Sequence, residues 1–93
     1  MIIQKSTADL TVSAHAIKSI LGIKLSRAAQ RHASAMGFES ANHLITAVKG
    51  NPVERDFEAY VAILKVEVLA NHQIEVTEPL VERLRTDLVT PLK

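Results

Sequence analysis

The side chains best suited to chemistry in this 93-residue sequence are four histidines, His15, His32, His43 and His72. No two of them stand three or four residues apart, so no single helix presents a two-point metal site. His32 and His43 fall on adjacent predicted helices with Glu39 near the intervening turn, one arrangement from which a metal or acid–base site could be assembled. Their pattern reads instead as partly exposed helix-surface histidines, and no metal is expected. Ser6, Ser13, Ser19, Ser26, Ser34 and Ser40 lack the oriented base that a nucleophile needs, and suit helix caps or small helix positions better. Gly22, Gly37 and Gly50 are isolated, which excludes a glycine-rich phosphate loop and makes them helix stops. Two acid pairs, Glu54/Glu58 and Glu78/Glu82, have the i, i+4 spacing of one helix face. Arg55, Arg83 and Arg85 stand beside them in sequence, so the pairs read as solvated salt-bridged surfaces. The chain has no cysteine, which removes disulfides, thiol nucleophiles and cysteine-held zinc or iron–sulfur clusters. A chain this short also lacks volume for a deep, water-excluding pocket. The expectation is a protein that is not an enzyme and carries no cofactor.

The elements that must position these residues are helical. Hydrophobic residues make up 47% of the chain and Pro plus Gly only six positions, which excludes disorder and low complexity. Ile17, Ile20 and Leu21 mark a first helix, capped by Thr11 or Ser13 and stopped by Gly22. Ser26 caps a second, with Ala29, Ala33 and Met36 as a small-residue stripe and Gly37 as its end. Ser40 caps a third, burying Leu44, Ile45 and Val48 and stopping at Gly50. Asn51, Pro52 and Glu54 carry the signature of a helix start, so a long apolar helix is predicted over 52–71. Its face of Phe57, Tyr60, Val61, Leu64 and Val68 makes it central or shared with a second subunit. A competing pattern, alternation in Val66–Glu67–Val68 and Ile74–Glu75–Val76, offers a small β-hairpin over 66–76. A last helix begins near Thr77 and Pro79, uses Leu80, Val81, Leu84 and Leu88, and is closed by Pro91. Ile2 and Ile3 read as an edge strand or an unstructured start. The predicted fold class is all-α, a bundle of four to five helices in one domain over 1–93.

Charge is divided unevenly along the chain. Residues 1–50 hold six lysines and arginines against Asp9 and Glu39, while residues 51–93 hold five against eight acids. A basic N-terminal part thus meets an acidic C-terminal part, suited to an anionic partner or to mutual attraction of the halves. The longest stretch without a charged residue is nine positions, 40–48, half of what a membrane span requires. Neither a signal peptide nor a lipidation motif is read at the N-terminus, so a cytoplasmic protein without a membrane partner is expected.

Residues 25–44 carry two resemblances. The segment from Arg27 to Leu44 resembles a helix-turn-helix, with Ala33 at its small-residue position, Gly37 at its turn and Phe38 at the apolar position that follows. It departs from that motif at His43 and Thr46, where apolar residues belong; Leu44, Ile45 and Val48 imply a turn one residue longer. The resemblance implies Asn42, His43, Thr46 and Lys49 in the DNA major groove, with Lys24, Arg27 and Arg31 on the phosphate backbone. The same region is similar to a short helical segment of small plasmid and mobile-element proteins, including glyoxalase-related plasmid proteins. A glyoxalase's metal ligands find no counterpart here, so that similarity implies only a bacterial accessory-genome origin.

These readings lead to a non-catalytic helical binding protein that docks on a protein partner, as a regulator or inhibitor, with homodimerisation through helix 52–71. The alternative is a helix-turn-helix DNA-binding regulator using residues 26–49. With only Phe38, Phe57 and Tyr60 as aromatic residues, an interface must rest on aliphatic and charged contacts.

Overall fold

The computed structural model describes residues 1–89, so the expected chain stop at Pro91 lies outside the described residues. Five helices and one two-stranded antiparallel sheet follow in the order β1 (Ile2–Gln4), α1 (Thr7–Leu21), α2 (Leu25–Ala35), α3 (Ala41–Gly50), β2 (Val53–Arg55), α4 (Phe57–His72) and α5 (Glu78–Leu88). The all-α class is therefore correct, and the small β element exists, but in a different place from the one expected.

Two corrections concern that β element. The Asn51–Pro52 sequence does not start a helix. Asn51 is extended, Val53 to Arg55 pair with the N-terminal strand in the register Ile2↔Arg55, Ile3↔Glu54 and Gln4↔Val53, and α4 starts only at Phe57. Non-local pairing overrides the local start signal because β1 offers partners for backbone groups that would otherwise need water or a helix. The working cap is Asp56, whose carboxylate accepts from the Ala59 N–H at 3.1 Å. The alternation over 66–76 forms no hairpin, and the helix expected to reach residue 71 runs through His72. Tyr60, Val61, Leu64 and Val68 recur at helical spacing and are buried, and their shared face outweighs the strand-like alternation. Val66, which alternation would pair with Val68, is left 67% exposed.

Helix α1 begins earlier than expected, at Thr7. Ser6 and Asp9 form a capping box in which each side chain satisfies the other's backbone N–H. This added turn brings Leu10 and the Thr7 and Thr11 side chains to the N-terminal end of the bundle. Gly22 stops α1 as expected, in the left-handed conformation at φ 70°. Helix α2 starts at Leu25 with Lys24, not Ser26, at its N-cap. It ends in a Schellman turn, with Phe38 N–H on the Ala33 carbonyl (2.9 Å) and Gly37 N–H on that of Ser34 (3.0 Å). Ser40 caps α3 as expected, whereas Gly50 lies inside that helix and Asn51 follows as its cap.

Helix α2 lies between α1 and α4, α3 packs on α2 and α1, and α5 packs on α1. Three contacts show α2 and α4 running antiparallel: Gly37 against Arg55, His32 against Tyr60, and Arg31 near Glu67. The centre of the molecule is filled by Ile2, Ile17, Leu44, Tyr60, Leu64, Val68 and Leu84, together with one polar ring, His32. No helix among the described residues is long and apolar enough to cross a membrane.

Candidate functional site

His32 departs most from its expected environment. It is 1% exposed, not a surface residue, because Ala28, His32 and Ala35 share the buried face of α2. Its Nε2 lies 3.2 Å from Gln4 Oε1 and its Nδ1 2.7 Å from the Tyr60 hydroxyl. Gln4 Oε1 only accepts, and it also receives the Ser13 hydroxyl at 3.4 Å. The His32 proton therefore sits on Nε2, and Nδ1 accepts from the Tyr60 O–H. The ring is neutral: burial lowers its pKa from 6.5 to about 4, and burial likewise raises the Tyr60 phenol well above 10. The network ties β1, α1, α2 and α4 together, and the Gln4 amide N–H donates to the Ile3 carbonyl at 3.2 Å. Both ring nitrogens of His32 are thus occupied by partners within the fold.

Directly beside His32 is an apolar groove of about 230 Å³ at the meeting of three helices. Helix α1 contributes Thr7, Leu10, Thr11 and Ala14, the i, i+3, i+4, i+7 face created by its early start. Helix α2 contributes Leu25, Ala29 and His32, again one face, and α3 adds Ala41, Leu44 and Ile45. The bundle leaves this space open because alanines occupy three of the facing positions, where larger side chains would close it. No charged side chain lines it. The groove is smaller than the several hundred Å³ typical of pockets for drug-sized ligands, but it is large enough for one leucine-sized or aromatic side chain.

The residues singled out for partner or DNA contact do not converge on the groove. Lys24 and Arg27 are exposed on α2, while Arg31 is drawn towards α4, 3.9 Å from Glu67. Asn42, His43, Thr46 and Lys49 are exposed on α3. The Thr46 hydroxyl is already bonded to the Asn42 carbonyl at 3.0 Å. His43 lies 3.7 Å from Glu39 and is no part of the His32 network, and no grouping of three metal-ligating side chains occurs among the described residues. Five residues, 36–40, separate α2 from α3, longer than the three or four of a regular helix-turn-helix. The Glu54/Glu58 pair is not on one helix, since Glu54 is in β2 and Glu58 in α4; Glu58 pairs with Arg85 at 3.0 Å instead of with Arg55. Away from the residues that line the groove, α4 leaves Val66 and Leu69 exposed at 67% and 56%.

No family model, curated protein or solved structure matches the chain.

Sequence reasoning missed the groove because half of α1's contribution lies before the point where that helix was expected to begin. A signal was present: Ser6 and Asp9 have capping-box spacing, with aspartate in place of the usual glutamate. The buried histidine also had a signal, its position between Ala28 and Ala35 at i+4 and i+7.

Proposed function

We propose that this protein is a non-catalytic binding module, a regulator or inhibitor that holds a protein partner by seating one large apolar side chain in the α1–α2–α3 groove. The observation that carries this reading is the groove itself: apolar, open to solvent, walled by three helices and backed by a rigid hydrogen-bonded ring. A buried anchor in such a pocket supplies most of the energy of a small interface. Affinity capture from the native cell with wild type and with Ala29→Phe, which fills the groove, tests it. A protein partner kept by wild type and lost by the filled variant supports the reading. A partner retained equally by both overturns it.

One observation favours the DNA-binding alternative: Asn42, Thr46 and Lys49 lie at i, i+4, i+7 on the exposed side of α3. Duplex binding that weakens steeply with salt and is lost on Arg27→Ala plus Arg31→Ala favours it; no duplex retained at low salt rejects it. Self-association through α4 draws support from its exposed Val66 and Leu69. Sedimentation that shows a dimer dissociated by Val66→Glu and Leu69→Glu supports a dimer, and a monomer at every concentration rules it out.

A further inference from the structure

The charge around the groove limits what can enter it. Lys24 immediately precedes Leu25, the 38%-exposed residue at the groove's lip. Lys18 lies on the α1 stripe that runs from Thr11 through His15, and Lys49 stands one turn beyond Ile45 on α3. None of these three lysines is in an ion pair among the described residues. The two acids of the same helical region do not line the groove: Asp9 lies on another face of α1, with Val12 and Ser13. Asp9 accepts from the Lys5 and Ser6 N–H groups, and Glu39 faces His43. Helix α2 also has no acid in its first turn, where one would ordinarily offset the positive end of the helix dipole. Lys18 and Lys49 stand in the last turns of α1 and α3, where the helix dipole favours a cation but leaves its ammonium free to meet a carboxylate. An apolar slot with lysines outside any ion pair at its margins is complementary to an apolar ridge flanked by carboxylates.

The backbone argues for the shape of that occupant. The groove is walled by helices, whose N–H and C=O groups are satisfied internally, so an extended peptide finds no strand edge to pair with there. An occupant that satisfies its own backbone fits better. We infer that the groove receives an acidic amphipathic helix of a partner protein, with its largest apolar side chain above Ala29 and its carboxylates reaching Lys18, Lys24 and Lys49. The inference rests on the proposed docking function and adds the chemistry of the partner.

A synthetic helical peptide about four turns long, with leucines at i, i+3, i+4 and i+7 and glutamates on both flanks, provides the probe. A second peptide carries lysine in place of every glutamate. Fluorescence anisotropy measures both against wild type, Ala29→Leu, Leu25→Glu, and Lys18→Glu plus Lys49→Glu, with circular dichroism verifying that each variant is folded. The expected result is binding of the glutamate peptide only, lost in Ala29→Leu and in Leu25→Glu, and weakened about 25-fold in the double lysine reversal. Equal binding of both peptides, still lost on filling the groove, leaves the docking function standing and overturns the acidic partner. Binding of neither peptide, or binding that persists when the groove is filled, overturns both.

Discussion

His32 shows how one residue's environment becomes a property of the molecule. Its neutral form is held by burial and by the Tyr60 hydroxyl, so the folded protein resists a proton that the unfolded chain accepts near pH 6.5. Stability from this group is complete above pH 6.5, falls as pH drops from 6.5 towards 4, and is lost below that. The shift corresponds to about 3 kcal/mol. Urea unfolding at pH 7 and pH 4 measures it, with His32→Gln as the comparison that removes the contribution of carboxylates. Wild type loses more stability than the variant over this range. Tyr60→Phe removes only the hydroxyl and leaves Nδ1 buried without a donor, a loss of about 1–3 kcal/mol at pH 7 in the same assay. Of the residues at which contacts were expected, Lys24, Arg27, Asn42, His43, Thr46 and Lys49 are exposed, whereas Arg31 is largely covered beside Glu67. The buried ring was harder to read, because histidine occurs in both settings and its partners are 28 residues away on either side.

At the scale of elements, the ends of the helices carry the predictions. The capping box at α1 joins Ser6 and Asp9, and Asp9→Ala should cost about 1 kcal/mol in thermal or urea unfolding. Helix α4 ends on Gln73, the one non-glycine residue with positive φ (55°) among the described residues. A side chain in that conformation is strained, so Gln73→Gly should raise stability by about 1 kcal/mol. Gly37 is the contrasting case. Its φ is 92°, and an added Cβ would lie 3.3 Å from Arg55 Nη1, so Gly37→Ala should destabilise and disturb the α2–α3 turn together with its contact to β2. Gly22 and Ser40 were readable as a stop and a cap because each acts within one turn of its own helix. The Asn51–Pro52 start was misread because its alternative partner, β1, is about fifty residues away in sequence.

The whole molecule leaves an open groove between α1, α2 and α3 and two exposed apolar residues on α4, Val66 and Leu69, and stability has little use for either. Filling the groove with Ala29→Leu adds buried apolar surface, and should raise stability by about 1 kcal/mol while abolishing the proposed docking. Greater stability together with loss of the proposed docking would mark the groove as a site kept open for a ligand. A loss of stability in Ala29→Leu would show instead that the space is already filled by packing.

The amino-acid sequence by itself determined the class of the protein: helical periodicity, local caps and stops, the absence of cysteine and the division of charge. These are decided within a few residues, where the chain's own hydrogen-bonding and apolar spacing are sufficient. Tertiary structure alone decided the rest. It set the pairing of Ile2–Gln4 with Val53–Arg55, enclosed His32 between Gln4 and Tyr60, and opened a groove where three helix faces bring small residues together. Each depends on which distant surfaces meet, and a polar or small side chain has no fixed meaning until its neighbours across the fold are in place.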